Sequence, residues 1–344
     1  MPDLKLYTVA DLREWLENDY PAEGLTEQII APNRAWAIIH NPYVKDEDAI
    51  VAAIFDDGEL AAYTASFPDM LDGQRVWWAS TLYCYPKCNG RGYGMIVVGS
   101  LIEAHEPELT YDRWGAQETI EIFNHYGYQT TYTTRYHLSN KKIDTNSLKG
   151  KLAYCAQELK KCLHPWPKLS KVSYTLQYSS YIDGEAYTFM QAHRGNDLWL
   201  REQDMLNWIL RYPFEQGCTM LDRVKNDTIF SSYVDSSEYK VVKVFKGECL
   251  TGVYILRKTG KTLAVVYLYY VEEYRDCIFT SIVDHILTLK PKQVILEDKE
   301  LLTYIQQRLY FPKMEEEIVS LSLPVNQQSP TNFALQLGDG DNFA

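Results

Sequence analysis

Three glycines at alternate positions, Gly90, Gly92 and Gly94, close the run Tyr83-Cys84-Tyr85-Pro86-Lys87-Cys88-Asn89-Gly90-Arg91-Gly92-Tyr93-Gly94 and lead into the apolar stretch Met95–Ala104. Glycines so spaced leave several backbone N–H groups uncovered. Where a strand turns into a helix, those groups point at one spot with the positive end of the helix dipole behind them. The chemistry this supports is anion capture, on the scale of a pyrophosphate. Arg91 adds a fixed positive charge inside the turn. An ordinary glycine-rich turn is written with the same letters, so the flanking elements must decide between the two.

Those elements read as mixed α/β. Leu4–Val9 alternates as a short strand, and Asp11–Tyr20 places Leu12, Trp15 and Leu16 on one helix face. Arg34–His40 reads as a helix stopped before Asn41-Pro42. Ala49–Phe55 and Leu60–Phe67 flank the turn Asp56-Asp57-Gly58-Glu59, a hairpin signal. Asp69–Gly73 is a second turn and Val76–Tyr85 a long strand. After the glycine turn come a helix to about His105, a strand at Leu109–Trp114, a helix at Gln117–Tyr126 ended by Gly127, and a last strand at Gln129–His137.

At 344 residues with 46% apolar content, the chain can bury cores for two domains. It contains no run of about 18 uncharged apolar residues, which argues against a membrane span. The polar start Met1-Pro2-Asp3-Leu4-Lys5 has no apolar signal core. Seven scattered cysteines show no zinc spacing, so free thiols in a cytoplasmic setting and no metal are expected. The net charge of −12 resides in residues 1–138, with 21 Asp/Glu against 9 Lys/Arg, and the remainder balances. An acidic first half argues against nucleic acid and is compatible with a cationic amine, although acidic surfaces mostly serve solubility.

Residues 139–171 read as a basic connector with eight lysines and a helix-like Leu152–Leu163. Residues 172–324 then repeat the element order of 1–138. Trp208–Pro213 echoes Trp36–Pro42, and the strand Leu263–Tyr270 echoes Val76–Tyr85. Ile278–Leu289 (helix), Gln293–Glu297 (strand), Lys299–Leu309 (helix) and Ile318–Leu323 (strand) follow in the same sequence. Residues 325–344 form a polar tail to which no element is assigned.

With these features in place, the first half resembles the GCN5-related N-acetyltransferase superfamily. That family carries a strand, then Arg/Gln-x-x-Gly-x-Gly/Ala, then a helix aimed at the coenzyme pyrophosphate; here Asn89-Gly90-Arg91-Gly92-Tyr93-Gly94 stands in that place. Glu118–Phe123 leading to Gly127-Tyr128 looks like the family's second coenzyme-side motif. The resemblance implies two tandem α/β (α+β) domains, each a mixed, mostly antiparallel sheet flanked by helices, the second one degenerate. It implies acetyl-CoA or another acyl-CoA as co-substrate and a small-molecule amine as acceptor, in a monomer or homodimer. It also implies that Leu82, Tyr83, Cys84, Asn89, Gly90, Arg91, Gly92, Tyr93, Gly94, Met95 and Phe123 line the coenzyme site, with an amide of Leu82 to Cys84 polarising the acyl carbonyl. Asn89 departs from the usual Arg or Gln. Phe123 stands where many members place a Tyr that protonates the leaving thiolate, and Phe cannot donate a proton. In the second copy, Val271-Glu-Glu-Tyr-Arg-Asp-Cys277 holds the loop position without a glycine and with three carboxylates that would repel a pyrophosphate.

An amine acceptor must lose a proton, yet the strand Trp78–Tyr85 carries no carboxylate. The candidates for acid and base are Asp69, Asp72, Glu118, His137, Tyr85 and Tyr126; each has a solvated, capping or packing role as its ordinary alternative. His125, at a helix C-terminus, and Cys84, in a strand without an activating base, read as structural. Three other assignments compete. A non-catalytic CoA-binding or interaction module would suit Phe123. A dinucleotide oxidoreductase would need G-x-G-x-x-G, but position 95 is Met. Aminoacyl transferases with paired domains of this kind generally lack so good an anion loop.

Overall fold

The structure, a computed structural model, describes residues 2–18, 24–113, 115–140, 173–211, 237–325 and 333–339, with scattered positions between 151 and 159. Its first half comprises β1 (Asp3–Thr8), α1 (Val9–Asn18), α2 (Pro32–Ile39), β2 (Ala49–Asp56), β3 (Glu59–Leu71), β4 (Gln74–Cys84), α3 (Tyr93–His105), β5 (Leu109–Arg113), α4 (Gln117–His125) and β6 (Tyr128–Ser139). The second half repeats the order: β7 (Thr175–Ser179), α5 (Gly184–Ala192), α6 (Gln203–Arg211), β8 (Ser237–Lys246), β9 (Cys249–Thr259), β10 (Thr262–Tyr270), α7 (Arg275–Leu289), β11 (Gln293–Leu296), α8 (Lys299–Arg308) and β12 (Lys313–Pro324).

Local chemistry accounts for most of these elements. The hairpins β2–β3 and β3–β4 turn at Asp57-Gly58 and Asp72-Gly73, pairs in which both residues take positive φ, as a two-residue turn with the twist of the flanking strands requires. β2 reads Ala-Ile-Val-Ala-Ala-Ile because both of its faces are covered. α8 begins at Asp298, whose carboxylate accepts from the Leu301 amide at 2.6 Å.

All twelve strands form one sheet, in the order β1-β2-β3-β4-β5-β12-β6-β11-β10-β9-β8-β7. The pairings are antiparallel except β4–β5 and β10–β11. The halves exchange their last strands: β12 pairs with β5 of the first half, β6 pairs with β11 of the second, and β6 and β12 pair with each other along their whole lengths. One core is shared by both halves on the face that carries α1, α2, α5 and α6. Smaller cores lie on the opposite face, under α7 and α8 in the second half and under α3 in the first.

In the second half, β7 is an edge strand, and Tyr178 within it and Tyr181 just after it are 57% and 55% exposed. The tail, to which the sequence assigns no element, forms no helix or strand over residues 333–339 but is packed there, with Leu335 and Leu337 in the shared core. The connector helix expected over Leu152–Leu163 lies mostly outside the described residues. Among the described residues no helix is long and apolar enough to cross a membrane, and no group of three or more His, Cys, Asp or Glu could hold a metal ion.

Candidate functional site

β4 opens the site. It pairs with β5 from Val76↔Leu109 to Ala79↔Asp112 and no further. Its pairing with β3 skips Ser80, a bulge that re-aims the strand at that point. Beyond the bulge, the Tyr85 amide donates to Ala61 O of β3 at 3.0 Å. Because N–H groups alternate sides along a strand, the amides of Tyr83 and Thr81 also face β3, and those of Leu82 and Cys84 face the gap where β5 has diverged. Residues 79–84 are all partly exposed, as an open edge requires. The expected carbonyl-polarising amide is thereby narrowed to Leu82 and Cys84.

The chain then makes a 3-10 turn over Pro86–Cys88 and enters the glycine loop. Gly90 and Gly92 take φ of 79° and 76° with open space where a Cβ would stand, so glycine is required there by the backbone and not by crowding. Gly92 caps α3 without a side-chain bond, which leaves the first-turn amides of Tyr93, Gly94 and Met95 outside the helix ladder. The Asn89 and Arg91 amides close local turns on Pro86 O and Cys88 O. The Gly94 amide rests on the Cys84 sulfur, and a Cβ at Gly94 would lie 2.9 Å from that sulfur. Among the described residues, nothing accepts from the amides of Gly90, Gly92, Tyr93 or Met95. Asn89 through Gly92 are exposed, so this surface is accessible.

Two expected contributors behave differently. Arg91 does not stand as a free charge: it is ion-paired with Asp56, which also accepts from Tyr93 Oη at 3.1 Å, so the loop is braced against β2. Phe123 is 1% exposed and packs edge-on against Tyr128, with ring centroids 5.0 Å apart, so it lines no open surface. Its neighbour Ile122 is the α4 residue that reaches Gly94, 3.4 Å from a Cβ there. The Cys84 thiol is pushed up by burial and stays protonated, as an inert thiol does.

The acid and base candidates separate by place. Asp69 is fully buried in an ion pair with Arg201, at 2.6 Å, and also accepts from Trp78 Nε1 at 2.8 Å. It is a core carboxylate linking the two copies and touches no open surface. Asp72, at a hairpin tip, pairs with Arg194. His137 sits opposite Ile295 and Glu315 and bonds Glu317 at 2.9 Å. It lies six residues along β6 from Thr131, which is level with the divergence of β4 and β5 through Leu321 and Arg113. That places it roughly 20 Å from the gap at 3.3 Å per residue. Glu118 is exposed in the first turn of α4. Tyr126 donates to Met95 O at 2.8 Å, tying α4 onto α3 over Gly99. Tyr85 alone among these borders the open edge; with Tyr83 and Tyr63 it forms a row of phenols, ring centroids 5.0 and 5.8 Å apart, on the face opposite α3. Burial pushes the Tyr85 hydroxyl up, assisted by Tyr83.

The sequence did not point to Ser80, Ile122 or Arg34. Arg34 is 3% exposed on α2 and donates to Ser80 Oγ at the bulge. Beside it, Asn33 is 2% exposed, and neither its amide nitrogen nor its oxygen has a partner among the described residues. A polar residue inside an apolar helix stretch was the available signal.

No protein-family model and no curated protein matches the chain. Among solved structures it is similar to a GCN5-related N-acetyltransferase from Anabaena variabilis ATCC 29413, at 13% identity and a TM-score of 0.50, covering 93% of this chain and 72% of that one. It is also similar to a conserved protein of unknown function, a probable N-acyltransferase, from Enterococcus faecalis V583, at 14% identity and a TM-score of 0.50, covering 94% and 73%.

Proposed function

Because the chain has the GCN5-related N-acetyltransferase fold in two tandem copies, we propose that it is a CoA-dependent N-acyltransferase whose first copy takes acetyl-CoA, or another acyl-CoA, as donor. The observation that carries this reading is two groups of open amides, one on the free edge of β4 and one from Gly90 to the first turn of α3, separated by amides that close local turns. Leu82 and Cys84 offer N–H groups to a carbonyl. Gly90, Gly92, Tyr93 and Met95 offer N–H groups to a diphosphate, and a thioester coenzyme carries both groups on one extended arm. A bound acyl-CoA supplies an activated acyl carbonyl. The chain's part is to hold it: donors fixed by the sheet need no reorganisation as charge develops on the carbonyl oxygen. The acceptor, a small-molecule amine, approaches from the opposite face, beside the partly exposed Tyr83 and Tyr85. Proton removal is assigned to water on that side, with Tyr85 as the side chain within reach. Acetyl specificity, the cytoplasmic setting and a monomeric or homodimeric state belong to the same proposal.

Titration calorimetry with acetyl-CoA and CoA tests the donor site, and release of free CoA across an amine panel tests turnover. Absence of binding by either ligand overturns the reading. A second reading is favoured by Phe123, which leaves the usual proton donor missing, and by Tyr126, whose proton is committed to Met95 O. In this alternative the fold binds CoA without turnover; tight CoA binding with no CoA release on the panel would support it.

A further inference from the structure

We infer that residues 333–339 are a built-in ligand of the second copy: they fill the gap beside β10, and the Gln336 carboxamide oxygen occupies the Leu268 amide as a substrate carbonyl would occupy Leu82 in the first copy. The two sites match position by position. β4 skips Ser80 against β3, and β10 skips Val266 against β9. Five residues past the bulge, Tyr85 donates to Ala61 O and Val271 to Thr251 O, each at 3.0 Å. Two residues past the bulge stand Leu82 and Leu268, so both amides face the side on which the parallel neighbour strand has diverged.

In the second copy that side is filled. Leu268 N donates to Gln336 Oε1 at 3.2 Å, and Gly338 N donates to Val266 O at 3.1 Å. The other end of the Gln336 carboxamide donates to both oxygens of Asp197, at 3.0 and 2.9 Å. Arg113 donates to the carbonyls of Gln336 and Asp339 at 2.7 Å each, and Arg201 donates to Gly338 O at 2.7 Å. A Cβ at Gly338 would collide with Tyr267 and Val266, so only glycine lets the segment lie this close. Leu335 and Leu337, at 7% and 3% exposure, seal the flanks. The anion loop is shortened in parallel: α3 begins eight residues after Tyr85, whereas α7 begins four after Val271. The second copy has thus lost its phosphate-binding turn and given its carbonyl-binding amide to the chain's own C-terminal segment. Arg113 comes from the first half and Leu268 from the second, so the segment also fastens the two copies together. Naming the displaced ligand as an acyl donor rests on the function proposed above; the occupancy does not.

The test uses the full chain and Gln336→Ala, with residue-resolved amide hydrogen exchange and CoA titration. Leu268 is expected to be protected by on the order of a thousandfold or more in the unaltered protein and to exchange at least about tenfold faster in the variant. Tyr267 and Tyr269, whose amides face β9, are expected to stay within about threefold. CoA is expected to bind once per chain. Leu268 exchanging unprotected in the unaltered protein, or unchanged in Gln336→Ala, overturns the inference, and the first measurement decides even if the variant does not fold. Two CoA molecules per chain also overturn it while upholding the transferase reading. Protected Leu268 with no CoA bound removes the transferase reading and leaves the occupied cleft standing.

Discussion

Asp69→Asn separates a carboxylate that holds the two copies together from one that performs proton transfer. Asp69 Oδ2 accepts from Arg201 Nε at 2.6 Å and Trp78 Nε1 at 2.8 Å, and Oδ1 accepts from the Met70 amide at 2.7 Å. Both side chains of the ion pair are fully buried. Burial pushes the Asp69 carboxyl up, and Arg201 and Trp78 pull it back. An asparagine must turn its NH2 either toward the two donors at Oδ2 or toward the Met70 N–H. In each case at least one bond is lost, and the buried Arg201 guanidinium loses its direct ion-pair partner. Breaking a buried pair in this way costs about 3–5 kcal/mol, a large share of a total stability of order 5–15 kcal/mol. Urea unfolding should show that loss. Arg201→Met should show a similar one, and the double variant Asp69→Asn/Arg201→Met should fall short of the sum of the two single losses by about 2–3 kcal/mol. Under folding conditions, CoA affinity and turnover should stay within about threefold, since a factor of ten corresponds to 1.4 kcal/mol at the site. A variant equal in stability to within about 1 kcal/mol but slowed a hundredfold or more would refute this and make Asp69 the base.

Gly92→Ala should cost about 1–2 kcal/mol of stability through its positive φ alone, since nothing crowds a Cβ there, and should weaken CoA binding about tenfold by calorimetry. Burial holds His105 down to about 4, from 6.5. The folded state keeps it neutral while the unfolded chain takes up the proton, so stability is lost as pH falls from 6.5 to 4, by up to about 3 kcal/mol. His105→Gln should remove that slope from urea unfolding free energies. Asp197 carries the opposite sign: burial, reinforced by Asp339, raises it to about 7 from 3.8. The folded state therefore binds the extra proton, and stability falls as pH rises from 3.8 to 7, by up to roughly 4 kcal/mol. Asp197→Asn should flatten that limb and raise stability at pH 8 relative to the unaltered protein.

The first copy was largely legible because its signals are local. Glycine pairs with positive φ mark Asp57-Gly58 and Asp72-Gly73, and the Gly90–Gly94 spacing sits between a strand and an apolar helix. Features set by distant pairing were not. The Ser80 bulge exists only against β3, and nothing in the letters of β6 or β12 says which half each will join. Asp69 reads as a turn residue until Arg201, 132 positions away, is brought against it. The polar composition of the tail hid Leu335 and Leu337, and its burial depends on side chains that satisfy its backbone. At Phe123 the family pattern named the residue one position from Ile122, which the helix phase turns toward Gly94.

The exchange of β6 and β12 also governs how the molecule is made. Ser139 leaves the ribosome well before its partner Gln293, and the 153 intervening residues take on the order of 10–30 s to synthesise at 5–20 residues per second. Throughout that interval the nascent first half carries a strand with neither neighbour in place, an edge open to aggregation or to a holding chaperone. In a crowded cell the missing neighbours could come from another polyribosome-bound copy, which would yield an intertwined dimer with every native pairing intact.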